Sequence, residues 1–335
     1  MRRFFALLLT AVLALSLLAG CTKSQEDAQQ QTGTSSDVSM AVVVAGTFGD
    51  RSFYDSSKEG ADRLAKDLGV QVKTIECNNV DHTQQIRNAA DAAEIVVLVG
   101  WEFYDVETVA PAYPDVHFIW VDNATSAPVA NVLNITYAQN EGSFLAGYIA
   151  AKMSQTGVVG AVGGEDTDTI NDFIVGYTQG AQYANSSIQV ETVYANTYDD
   201  PAVGKECALT LHEKKADVVF QIASKTGDGV FQAAQEKGFY AIGVDSDQKY
   251  IADDVIICSM MKQVGNSIYE AVSDYISGDT SKWGTTWVAD MATGFIGIGY
   301  GEAGATQQVP DSLKSEVEEL AKKIVSGEIQ VETTR

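Results

Sequence analysis

Two short turns concentrate the side chains that could do chemistry. In Gly46-Thr47-Phe48-Gly49-Asp50-Arg51-Ser52-Phe53-Tyr54-Asp55, the acid Asp50 precedes two flat aromatic faces, Phe53 and Tyr54. In Gly100-Trp101-Glu102-Phe103-Tyr104-Asp105, three aromatics and two acids fall within six residues, with Trp101 and Phe103 the candidate contacts. Aromatic rings can sandwich a planar or sugar ring while a carboxylate accepts hydrogen bonds from its edge. Asp122 and Asp245 each close an apolar run, and a carboxylate so placed can hold a vicinal diol through two charge-assisted hydrogen bonds. Lys262 closes another run, in Ser259-Met260-Met261-Lys262. Each residue also has a bland use: a ring packed into the core, an Asp capping the next helix, a solvated lysine.

Catalysis finds less support than binding. The glycines of the first turn suggest a phosphate cradle, but no Gly-Lys-Ser/Thr follows and Asp50 stands where the anion would go. There is no G-x-S-x-G, no H-E-x-x-H and no dinucleotide fingerprint opening a helix; Gly297, Gly299 and Gly301 lack the strand-turn-helix context. Asp245 and Asp247 are a pair of acids such as a glycosidase uses, but nothing in the sequence marks a raised pKa. The three histidines (His82, His117, His212) are scattered and no C-x-x-C occurs, so no metal or cofactor is expected.

The elements that must position these residues follow a regular grammar. Apolar runs at 40–45, 70–76, 95–99, 116–121 and 131–135 read as strands, separated by helical stretches through 68, at 83–93 and around 106–110. A small-residue helix at 141–153 follows, with Ser52 and Asp55 spaced as a capping box on the first helix. The grammar then restarts, with strands at 158–162, 189–194, 218–222, 240–244 and 255–259 and helices from 168, at 202–213 and at 264–276. Continuous apolar runs between helices indicate parallel sheets covered on both faces. In such sheets ligands bind at the carboxyl ends of the strands, where all the candidate residues lie. The fold class is α/β: a first lobe of residues 40–154 with about 288–335, a second lobe of 155–287, and a hinge between them.

The bulk numbers agree. A chain of 335 residues exceeds the ~250–300 at which single cores stop growing. Acidic residues outnumber basic ones 45 to 22, a net charge of −23 without a Lys/Arg cluster, so no nucleic-acid partner is expected. Arg2 and Arg3 precede an apolar run at 4–18 and then Leu18-Ala19-Gly20-Cys21, which is similar to a bacterial lipobox. This implies a lipoprotein signal peptide over 1–20, lipidation at Cys21, a polar tether over 21–39, and a membrane-anchored, extracytoplasmic monomer. Of the three further cysteines, Cys77 and Cys258 are expected to be buried hydrophobes.

With these residues in hand, the chain resembles the basic membrane protein family of lipoproteins, which includes bacterial purine nucleoside receptors. The likeness runs from about residue 40 to 278. It rests on GDRSFYD (49–55), similar to the family's GDKSFN, with FLAGYIAA (144–151), VGAVGG (159–164), IGVDSDQ (242–248) and the SMMK segment. The resemblance implies a type I periplasmic-binding-protein fold and delivery of a nucleoside-like ligand, a purine nucleoside, to an ABC transporter permease. It implies that the base stacks on Phe53, that Asp245 and Lys262 hold the ribose, and that Asp122 lies near the base. Tyr54 stands where the family often has Asn. Gly-Trp-Glu-Phe replaces its GF turn, and Ala223-Ser224-Lys225-Thr226-Gly227 replaces an AGGTG-like loop. These departures leave other ligands open, a flavin or another diol. A surface sensor without transport, a nucleoside-cleaving enzyme and a ligand-responsive transcription regulator are the rival classes; the regulator would need a DNA-binding headpiece where the lipobox stands.

Overall fold

The computed structural model describes residues 37–78 and 80–334. The signal peptide, Cys21 and most of the tether lie outside the described residues.

The strongly apolar β-branched run of β1 (Ser39–Val44) is buried along nearly its whole length, so it must be flanked by strands and covered on both faces. It pairs in parallel with β2 (Gln71–Glu76) and β3 (Ile95–Val99). β4 (His117–Val121) and β5 (Val132–Tyr137) extend the sheet beyond β3. The connections are α1 (Phe53–Leu68), α2 (His82–Ala90) and the short α3 (Val106–Val109). α1 ends at Gly69, whose φ of 71° gives the left-handed cap that glycine adopts without steric cost.

After β5 the chain enters α4 (Gln139–Met153), a helix of small residues buried on nearly every side. It packs on α5 (Asp168–Ala184), which follows β6 (Val158–Gly163), and it also lies against the second sheet. That sheet continues through β7 (Gln189–Tyr194), α6 (Pro201–Glu213), β8 (Val218–Ile222), α7 (Asp228–Lys237), β9 (Tyr240–Asp245) and β10 (Ile256–Lys262).

The last fifth of the chain weaves between the sheets. α8 (Val264–Ile276) follows β10 but packs against α1 of the first lobe. β11 (Thr286–Ala289) pairs with β5, giving the first sheet the order β11-β5-β4-β3-β1-β2. β12 (Ile296–Gly299) then pairs antiparallel with β10, giving β12-β10-β9-β8-β6-β7. α9 (Asp311–Val325) sets Leu313, Val317, Leu320 and Ile324 inward, on the α4 side.

The lobe boundaries therefore differ from those expected. Residues 288–335 do not return as a block to the first lobe: β11 does, whereas β12 and α9 belong to the second. α8, assigned to the second lobe from its place in the chain, covers the first sheet. Residues 139–153, assigned to the first, cover the second. The chain crosses between lobes near Ala138, Gln263 and residues 290–295. Backbone bonds tie these crossings together, Ala138 N–H donating to Ala289 O (3.1 Å) and Gln263 N–H to Phe295 O (2.9 Å). Cys77, Cys207 and Cys258 are unbonded and buried.

Candidate functional site

The carboxyl ends of both sheets face one another across a cleft. From the first lobe it is lined by Phe53, Tyr54, Gly100, Trp101, Glu102 and Asp122, and from the second by residues that include Phe173, Tyr198, Ser224, Asp245 and Lys262. Six of the eight residues singled out from the sequence line it: Phe53, Tyr54, Trp101, Asp122, Asp245 and Lys262.

Asp122 directly follows β4 and Asp245 ends β9, and each has positive φ, 72° and 63°. Left-handed backbone is uncommon outside glycine and is tolerated by Asp, and it turns each carboxylate away from its strand's path. Lys262, 2% exposed, donates from Nζ to Asp122 Oδ2 across the cleft at 2.7 Å. The same ammonium lies 4.8 Å from the Phe53 ring centre, 5.1 Å from Phe173 and 5.2 Å from Tyr137. The carboxylate and the ring faces thus enclose the ammonium with groups of complementary charge.

Asp245 also feels that charge. Burial raises its pKa to about 6; Lys262 and a hydrogen bond from Ser52 Oγ pull it down, while Asp50 and Asp122 push it up. Its partner is thus the first-lobe hydroxyl Ser52. The capping box expected of Ser52 and Asp55 does not form: Ser52 makes no side-chain cap bond, its hydroxyl being committed to Asp245.

Asp50 does the capping instead, and does not line the cleft. It is 2% exposed and accepts from the backbone N–H groups of Ser52 (3.1 Å), Tyr54 (3.0 Å) and Asp55 (3.0 Å). It also accepts from Ser224 Oγ of the second lobe (2.8 Å). Burial raises its pKa against those four hydrogen bonds. Two more contacts dock this turn on the second lobe: an Arg51–Asp228 ion pair, and Gln248 Nε2 donating to Arg51 O at 3.0 Å.

Phe103 is the second correction. It is fully buried in the first lobe, edge-on to His82 at 5.3 Å, and anchors the turn whose rim residue Trp101 is 46% exposed. A tight 3₁₀ turn over Trp101–Phe103 separates the two rings, one to the cleft and one to the core.

The residues that sequence reasoning missed come mostly from the second lobe. Thr167, Thr169, Ile170 and Phe173 belong to the turn after β6 and the first turns of α5, Tyr198 follows β7, Ile222 ends β8 and Ser224 follows it. The carboxyl-end rule, applied to β6 as it was to β1, points to the same turn. Among the described residues no group of three or more His, Cys, Asp or Glu side chains could hold a metal ion.

The family model for ABC transporter substrate-binding proteins, PnrA-like, matches residues 37–335. Basic membrane protein A2 of Borrelia garinii subsp. bavariensis is 31% identical over 298 residues, 87% of each chain. Basic membrane protein A of Borreliella burgdorferi is 30% identical over 302 residues, 88% of each. A solved solute-binding protein of an ABC transporter system from Aeropyrum pernix superposes with a TM-score of 0.80 at 28% identity, covering 88% of this chain and 93% of that one.

Proposed function

The chain belongs to the PnrA-like family of ABC transporter substrate-binding proteins, extracytoplasmic receptors that bind a small molecule for a transporter, and on that premise we propose that its ligand is a purine nucleoside. The observation that carries the reading is the convergence, from two lobes, of Asp245, Lys262 and the rings of Phe53 and Phe173 in one cleft. A vicinal diol matches a carboxylate beside an ammonium, since the first accepts from the hydroxyls and the second donates to them. A planar base matches the ring faces. In this reading Phe53 stacks on the base, Tyr54 and Trp101 bound its slot, and Asp245 and Lys262 take the ribose. Asp122 fixes Lys262 and lies near the base. Asp50 acts indirectly, by shaping the turn that presents Phe53.

Delivery is to an ABC permease, from a chain held at the outer face of the membrane by lipid on Cys21. Mass spectrometry of the small molecule released when the purified protein is denatured tests the ligand. A nucleoside mass is the expected result; a flavin or a sugar without a base overturns it.

A further inference from the structure

The turn after β3 carries a carboxyl group that recognition of the ribose leaves idle. Glu102 lines the cleft beside Trp101 and Tyr54, and its Oε2 is shut off from solvent without a hydrogen-bond partner. Its seat depends on Gly100, whose φ of 128° suits glycine and where a Cβ would come within 2.5 Å of that oxygen. Burial raises the pKa of Glu102, against a hydrogen bond from its own backbone N–H, and Glu165 adds to the rise. Glu102 lies on the first-lobe turn after β3 and Asp245 at the end of β9 in the second lobe, so the two carboxyl groups enter the cleft from different lobes. A buried carboxylate oxygen left without a donor costs stability, and no protein group near Glu102 Oε2 supplies one. A ligand in the cleft is placed to supply the missing donors.

We propose that Glu102 is the residue that selects the base, accepting paired N–H donors and so favouring guanine over adenine; this rests on the nucleoside reading above. Guanine presents N1–H and an exocyclic N2–H side by side, which suits two parallel bonds to one carboxylate. Hypoxanthine presents N1–H alone. Adenine turns a ring-nitrogen lone pair toward the carboxylate and offers only its amino group. A site built around donors discriminates strongly against an analogue that lacks them, because its own polar group is then left unpaired.

Calorimetry on the full mature chain with guanosine, inosine and adenosine, at about pH 7.5, tests this in wild type, Glu102→Gln and Asp245→Asn. Wild type is expected to bind guanosine at least about tenfold more tightly than adenosine, with inosine between. Glu102→Gln, close in shape, is expected to weaken guanosine roughly ten- to a hundredfold and adenosine less than about threefold. Glu102→Asp should retain the ranking with a smaller spread. Asp245→Asn should weaken all three alike, since they share one ribose. If the nucleosides bind wild type without that ranking, or Glu102→Gln shifts all three by one factor or none, Glu102 does not read the base, although the nucleoside reading survives. If wild type binds none of the three, that reading falls and the assignment of Glu102 falls with it.

Discussion

At the residue scale, the proposed site gives Asp245 and Phe53 separable contributions. Removing the Asp245 carboxylate leaves ligand hydroxyls without a charged acceptor, a loss of about 2–4 kcal/mol, or roughly thirty- to a thousandfold in affinity. Asp245→Asn should therefore narrow the gap between ribosides and 2′-deoxyribosides. Phe53→Ala should cost about 1–3 kcal/mol by removing a stacking face, and should weaken both alike. Calorimetry on matched pairs separates the two effects. The raised pKa of Asp245 adds a pH dependence whose sign is determinate. In the empty cleft the group takes up a proton as pH falls through about 6, and only the ionised form accepts from both hydroxyls. Affinity should be level above that value and drop about tenfold per pH unit below it. Burial chiefly sets the value, and Lys262, Ser52, Asp50 and Asp122, which face Asp245, adjust it; Asp245→Asn should flatten the profile. For folding the linkage runs the other way. A carboxyl raised from 3.8 binds its proton more tightly in the native state, so stability from this group is greatest at low pH and falls as pH rises toward 6.

Among elements, the α4–α5 pair most directly shows how composition becomes geometry. Gly147, Gly176 and Gly180 let the two backbones touch: a Cβ on each would meet Tyr177 O at 2.0 Å, Asn140 O at 2.1 Å and Phe144 O at 1.9 Å. Backbone cannot give way as a flexible side chain can, so overpacking here should cost about 1–3 kcal/mol. Gly180→Ala should lower the midpoint of urea unfolding accordingly. Gly297→Ala, where nothing lies within 4 Å and φ is not positive, should change it little. The same logic holds α8 to α1, where a Cβ on Gly60 would meet Gly265 O at 2.2 Å. At the other end of α1, the 49–55 turn spends its polar groups across the cleft, on Asp228, Ser224, Asp245 and Gln248. It is therefore both a wall of the site and a latch between the lobes.

The whole molecule is two sheets joined by three crossings, a construction that lets the lobes rotate without breaking either sheet. The interlobe contacts of Ser52 and Lys262 lie at the cleft and those of Asp50 and Arg51 beside it, so opening of the cleft would break them. Small-angle scattering should give a smaller radius of gyration with saturating ligand than without; an unchanged profile counts against a closing cleft. In the proposed delivery to a permease, Cys21 is the anchor that keeps the chain at the membrane. Cys21→Ser should abolish labelling by a metabolic fatty acid and release or stall the protein. A mutant that still carries label refutes the assignment.

The short-range code was legible without coordinates. Apolar runs such as 95–99 and 218–222 could only be strands of covered parallel sheets, and the carboxyl ends of those strands led to Phe53, Tyr54, Trp101, Asp122, Asp245 and Lys262. What the sequence could not supply depended on rotations within a turn and on partners far along the chain. Trp101 and Phe103 are two residues apart, and the pitch of one 3₁₀ turn decides which ring meets the cleft. Asp50 and Ser52 looked like a ligand contact and a helix cap, but each bonds to a residue more than 170 positions away. α8, β12 and α9 carry burial patterns that would satisfy either lobe. Periodicity states which face of an element must leave water, because that face is set by local geometry. Which surface covers it is a long-range choice, made here by β12 pairing with β10 and by the glycines that bring α8 against α1.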